Sequence, residues 1–119
     1  MSALEVIIPL RVASTLNLRE HWARRAGRIK RERTATAYGL ARRCRPLAAG
    51  QSATVTLPRI APRELDGDNL AAALKGVRDE VADQLGLPND RDPRVAWRYV
   101  QVRGRVKEYA VRISIEVAV

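Results

Sequence analysis

Alternation is clearest near the end of the chain, where Val111, Ile113, Ile115 and Val117 take every second position and Arg112, Ser114 and Glu116 fall between them. A period of two puts the apolar set on one face of a strand, so residues 106–118 are predicted to be extended. Residues 94–103 form a second such stretch, and Arg103-Gly104-Arg105 offers a tight turn between the two. Residues 52–58 (Ser-Ala-Thr-Val-Thr-Leu-Pro) alternate in the same way. Residues 4–12 are β-branched and apolar, and Pro9 assigns that strand to an edge or a bulge.

Elsewhere the period changes. Leu70, Leu74, Val77, Val81 and Leu85 recur at helical spacing, which predicts a helix from Asp68, a candidate N-cap, to about Leu85. Gly86 follows as a helix-ending residue. Residues 19–43 are rich in Arg and Ala, lack proline, and read as a long helix that ends before Arg45-Pro46. The order β-α-β-α-β-β predicts one α+β domain over residues 1–119, with helices packed on a mixed sheet. No repeat or linker interrupts it.

Composition changes this picture through charge. The chain carries 22 basic and 13 acidic residues, a net +9. Residues 1–50 hold 11 basic and 3 acidic side chains, whereas residues 51–119 hold 11 and 10. A surplus of this size suits a polyanion, whose condensed counterions are released on contact; a solvated basic surface is the plainer alternative. Arg24, Arg28 and Arg31 share one helical face, and with Arg25 and Lys30 they are candidates for phosphate contacts. Cys44 and His21 are single, so a zinc site of Cys and His ligands is excluded, as is an intrachain disulfide. There is no GxxxxGK[ST] loop, hence no sign of a nucleotide cofactor, and no apolar run long enough to span a membrane. A cytoplasmic protein is the expectation. Any hydrolytic chemistry would rest on carboxylates, lysine and a hard metal ion.

Two acidic clusters qualify: Asp66-Gly67-Asp68-Asn69, where the second long helix starts, and Asn89-Asp90-Arg91-Asp92, just beyond it. Hard cations such as magnesium take several oxygen ligands, and such an ion can activate water for phosphodiester cleavage. A helix of this length spans about 27 Å, so Asp92 meets Asp66 only if the chain returns along the helix. On that helix Asp68, Lys75 and Asp79 lie within about 20° of one line, opposite the apolar stripe. Plainer roles are open for each: an N-cap for Asp68, a surface i,i+4 pair for Lys75 and Asp79, and turn formation for Asp90 and Asp92.

Taken together, Asp66-Gly-Asp68-Asn69-Leu70, Lys75, Arg78-Asp79 and Asp90-Arg-Asp92-Pro-Arg-Val95 resemble the RusA family of Holliday-junction resolvases. Ser14-Thr-Leu-Asn17, followed by His21-Trp22, is similar to a loop that precedes the first helix there, so the likeness covers about residues 7–116. The resemblance implies a homodimeric endodeoxyribonuclease that nicks four-way DNA junctions symmetrically with magnesium, for which manganese substitutes. It makes Asp66, Asp68 and Asp92 the metal-binding carboxylates and Lys75 the catalytic lysine. Asn69, Asp79 and Asp90 would support them, and Asn17 would join the DNA-binding residues. In the shortest form of the motif the lysine comes four residues after the second aspartate; that position is Ala72, with Lys75 nearly a turn later. Counting back from Val95 favours Asp92 over Asp90.

Two rivals remain in view. A non-catalytic DNA-binding protein of the same fold would have little use for the clustered acids, which repel phosphate unless a cation bridges them. A basic RNA-binding module would prefer duplex RNA to branched DNA. Trp22 and Trp97 could stack on bases, but an aliphatic core poor in aromatics is expected to bury them.

Overall fold

The computed structural model describes residues 2–14 and 21–119. Seven elements follow in order: β1 (Ser2–Ile8), α1 (Trp22–Leu40), β2 (Ser52–Ala61), α2 (Gly67–Ala73), α3 (Lys75–Gln84), β3 (Val95–Arg103) and β4 (Ala110–Ala118). The four strands make one mixed sheet in the order β1-β4-β2-β3. β4 runs antiparallel to β1 and β2, whereas β2 and β3 are parallel. The fold is therefore α+β, as the element order implies.

The predicted turn at Arg103-Gly104-Arg105 does not make a hairpin. β3 pairs only with β2, and β4 lies on the far side of β2. Alternation identifies which face of a strand is buried but not which strand is its neighbour, and β2, extended by three residues to Ala61, takes the central place. Pro58 lacks an N–H, and the β2–β4 ladder skips Leu57 and Pro58 before resuming at Arg59–Val111.

All helices cover one face. Val6, Ile8, Val55, Leu57, Val111, Ile113 and Ile115 from the strands meet Leu40, Leu70, Leu74, Val77, Val81 and Leu85 from the helical side in one aliphatic core. The apolar stripe is thus buried as its spacing predicts. The helix carrying it is not continuous, however: Leu74, at φ −94° and ψ 5°, separates α2 from α3. Ala71-Ala72-Ala73 gives no local reason for a break. α3 packs on α1, where a Cβ at Gly76 would come within 3.1 Å of the buried Glu32 carboxylate. α2 instead contacts β3.

The helix start also differs from expectation. Asp66, not Asp68, is the N-cap; its side chain accepts from the Asn69 N–H at 2.9 Å. Gly86 ends α3 at φ +73°, with Leu87 N–H bonded to Ala82 O and Gly86 N–H to Asp83 O, both at 3.0 Å. α1 ends before the predicted residue 43, with Arg42 at φ +64° beyond Leu40, and His21 caps its start, its ring accepting from the Ala23 N–H. β1 stops before Pro9. Trp22 is 75% exposed, against the expectation of burial. Among the described residues no helix is long and apolar enough to cross a membrane.

Candidate functional site

β2 and β3 are parallel, so the helical connection between them descends from the C-terminal end of β2 to the N-terminal end of β3. Asp66, Asp68 and Asn69 are at the upper end. The preceding residue, Leu65, is fixed there because its carbonyl accepts from the Gln101 side chain of β3. Asp66 and Asp68 are both exposed. The Asn69 amide donates to both Asp66 oxygens at 2.9 Å, and the Asn69 carbonyl oxygen accepts from the Ser14 hydroxyl. The bonds from the Asn69 backbone and side chain hold the Asp66 carboxyl below the ordinary carboxylate range. Asn69 thus ties the turn together through the Asp66 carboxylate.

Lys75 opens α3 one helical segment lower. Its ammonium donates to Asp79 at 2.9 Å and to Asp90 at 2.8 Å. The i,i+4 pair does form, then, but the same lysine also reaches across to the loop beyond the helix. Asp90 is held from several sides. Arg78 Nε approaches its carboxylate at 2.8 Å, and its backbone carbonyl accepts from Arg78 Nη2 and from the Trp97 indole, both at 2.9 Å. The Arg78 guanidinium lies 4.6 Å from the centre of the Trp97 ring and donates to the Tyr99 hydroxyl at 2.6 Å. The hydrogen bond from Lys75 lowers the Asp90 pKa, with burial opposing and the charges of Lys75 and Arg78 adding to it. For Lys75, burial alone would lower the pKa, but the bonds to Asp90 and Asp79 raise it.

Asp92 is elsewhere. It accepts from Arg94 through Nε and Nη2, both at 3.1 Å, and from the Arg94 N–H at 3.0 Å, and these bonds hold its carboxyl low. It precedes β3 at the end where Ala53 N–H bonds Arg94 O. From the level of Gln101, beside Leu65, down to Val95 is six strand residues, or about 20 Å. Asp66 and Asp92 therefore stand at opposite ends of β3, and the loop carries Asp90, not Asp92, back to Lys75. Among the described residues no three His, Cys, Asp or Glu side chains are grouped so that they could hold one metal ion. The all-oxygen donor set suits a hard cation in kind; Asp92, at the other end of β3, is not placed to share one ion with Asp66 and Asp68.

Of the basic helix, Arg24, Arg25, Lys30 and Arg31 are exposed on α1. Arg28 is turned inward: its guanidinium is 3.6 Å from the Glu32 carboxylate and donates to the Ala13 carbonyl at 3.4 Å. Asn17 lies outside the described residues. Sequence reasoning gave no role to Arg78, although its position three residues after Lys75 places both on one helix face. Tyr99 and Trp97 had no such signal, because their contacts depend on β3 lying beside α3.

No protein-family profile matches the chain, and no curated protein shows significant similarity to it.

Proposed function

We propose that this protein is a structure-selective, magnesium-dependent endodeoxyribonuclease that resolves four-way DNA junctions in recombination or repair, acting as a homodimer in the cytoplasm. The observation that carries this reading is the Asp66-x-Asp68-Asn69 turn at a helix start, followed on the same helical connection by Lys75, whose ammonium is held by Asp90. It stands on a chain with a net charge of +9, much of it on α1. The magnesium requirement and the dimer come from the RusA resemblance. A dimer suits the reaction, since two matched nicks call for two sites related by a two-fold axis.

Within this reading the roles are as follows. Asp66 and Asp68 are the exposed carboxylates that would hold magnesium beside the scissile phosphate, and Lys75 stabilises the charge that builds on phosphorus. Asp90 and Asp79 hold the Lys75 ammonium, while Arg78 and Trp97 hold Asp90. In this reading Asp90, rather than the Asp92 favoured by counting back from Val95, is the aspartate that serves Lys75. Arg24, Arg25, Lys30 and Arg31 contact phosphates without reading bases.

One observation favours a second reading, a non-catalytic DNA-binding protein of this fold: among the described residues the acidic side chains do not gather in a group of three. An end-labelled four-way junction, incubated with and without Mg²⁺, separates the two. Symmetric paired nicks that require magnesium and disappear in Asp68→Asn, with junction binding retained, are the expected result. Binding equal in EDTA and magnesium, with no nick in either, would establish the second reading. Stronger competition by duplex RNA than by the junction would overturn both.

A further inference from the structure

Arg59 occupies an inward-facing position of β2, between Val111 of β4 and Gln101 of β3. Its neighbours along that face, Val55 and Leu57, are fully buried, and Arg59 itself is only 8% exposed. A guanidinium stays ionised in a protein, so this position puts a permanent charge at the margin of an aliphatic core. Its partners are neutral: Nη1 donates to the Arg63 carbonyl at 2.8 Å and to the Gln101 amide oxygen at 3.3 Å. Buried charges are ordinarily matched by an opposite charge. Even the half-buried arginines have carboxylate partners, with Arg28 on Glu32, Arg33 on Glu80 and Arg78 on Asp90. Among the described residues no carboxylate is in ion-pair contact with Arg59.

A concavity of about 410 Å³ lies against it, lined by Arg11, Ser14, Arg59, Arg63, Asn69 and Tyr109 among others, with no Asp or Glu among the described residues of its wall. Arg11 and Arg63 are exposed and have no carboxylate in ion-pair contact among the described residues. The Arg11 guanidinium stacks over the Tyr109 ring at 4.3 Å from its centre, which fixes its direction. Three guanidinium groups thus surround one opening, and burial disfavours the Arg59 charge, Tyr109 offsetting this and Arg11 adding to it. The volume is within the range of about 300–1,000 Å³ usual for small-molecule sites, enough for a nucleotide-sized group.

We infer that this pocket is a phosphate subsite: a backbone phosphate of the bound DNA strand sits against Arg59, with Arg11 and Arg63 closing on it from the rim. Guanidinium forks match tetrahedral oxyanions with paired hydrogen bonds, and a phosphodiester would supply the negative charge that Arg59 lacks. The assignment to DNA rests on the function proposed above, because Asn69, part of the pocket wall, is also the residue that grips Asp66. A phosphate seated here would be adjacent to the Asp66–Asp68 turn, and so would set which phosphodiester of the strand meets it.

The test measures binding of a fluorescent four-way junction in EDTA, where no cutting is needed, over a series of salt concentrations. Arg11→Gln/Arg63→Gln alters only exposed side chains and keeps the fold. It is expected to weaken binding about tenfold or more and to flatten the dependence of log K on log[salt] by about one unit for each phosphate no longer neutralised. Arg59→Lys, which keeps the charge and removes the fork, is expected to weaken binding at an unchanged melting temperature. Wild-type affinity and salt slope in both variants would overturn the inference and leave Arg59 a structural residue. Binding of deoxyadenosine monophosphate that depends on these arginines, with junction binding indifferent to them, would equally overturn the assignment to DNA. The two proposals fail separately: a wild type that binds junctions through this pocket but never nicks them sinks only the nuclease, whereas nicking unaffected by the variants sinks only the pocket.

Discussion

Asp90 receives two cations at once, Lys75 and Arg78, each at 2.8 Å, and this makes its ionisation a matter of stability. Its pKa is depressed chiefly by the hydrogen bond from Lys75. A depressed folded-state pKa contributes stability that is fully present above the unfolded value, about 3.9, and is lost as pH falls through the folded value. Lys75 has the opposite sign. Its raised pKa contributes at all pH values below about 10.4 and is lost only as pH rises through the folded value. Across neutral pH both contributions are present. Asp90→Asn is therefore expected to lower unfolding stability at pH 7 by about 1–2 kcal/mol, a small figure because the Lys75 side chain is 56% exposed. The difference from wild type should close as both proteins are acidified below about pH 4, which urea denaturation at a series of pH values measures. A gap that persisted in acid would mean that the Asp90 charge is not what binds this loop to the helix.

At the scale of elements, α1 divides into a buried set and a solvent-facing set of residues. Glu32, Thr36 and Leu40 are its buried residues, while Arg24, Arg25, Lys30 and Arg31 face solvent. Replacing these four with Gln should leave the melting temperature within a degree or two. It should reduce the salt dependence of junction binding by about 0.9 in log K per log[salt] for each phosphate left unneutralised. Arg28→Gln belongs to the other class: it removes an ion-pair partner of the buried Glu32 and should cost stability more than affinity. That distinction was not legible in the sequence. Arg24, Arg28 and Arg31 share a face by spacing, but which of them turns inward depends on the Ala13 carbonyl and on Glu32. The apolar stripe from Leu70 to Leu85 was legible, because period alone determines it. The break at Leu74 was not, since an Ala-rich helix has no local reason to interrupt itself and α1 and β3 draw its two halves apart.

For the whole molecule, the element order foretold an α+β fold but not the neighbours within the sheet. β2 between β3 and β4 is a long-range pairing that no turn signal announces. The consequence reaches the candidate site. A parallel β2–β3 pair places Asp66 at one end of β3 and Asp92 at the other, so two carboxylates of similar sequence spacing, Asp90 and Asp92, acquire different surroundings. One meets Lys75; the other pairs with Arg94. The two acidic clusters were legible, and which of these two aspartates meets Lys75 was a property of the fold. The direct measurement of that choice is the initial rate of junction nicking in magnesium for wild type, Asp90→Asn and Asp92→Asn, each confirmed folded and able to bind the junction in EDTA. The expected result is a loss of about 100-fold or more for Asp90→Asn, which releases the Lys75 ammonium, with Asp92→Asn retaining most of the wild-type rate. Full activity in Asp90→Asn, or abolition of nicking by Asp92→Asn alone, would contradict a site built around Lys75 and Asp90.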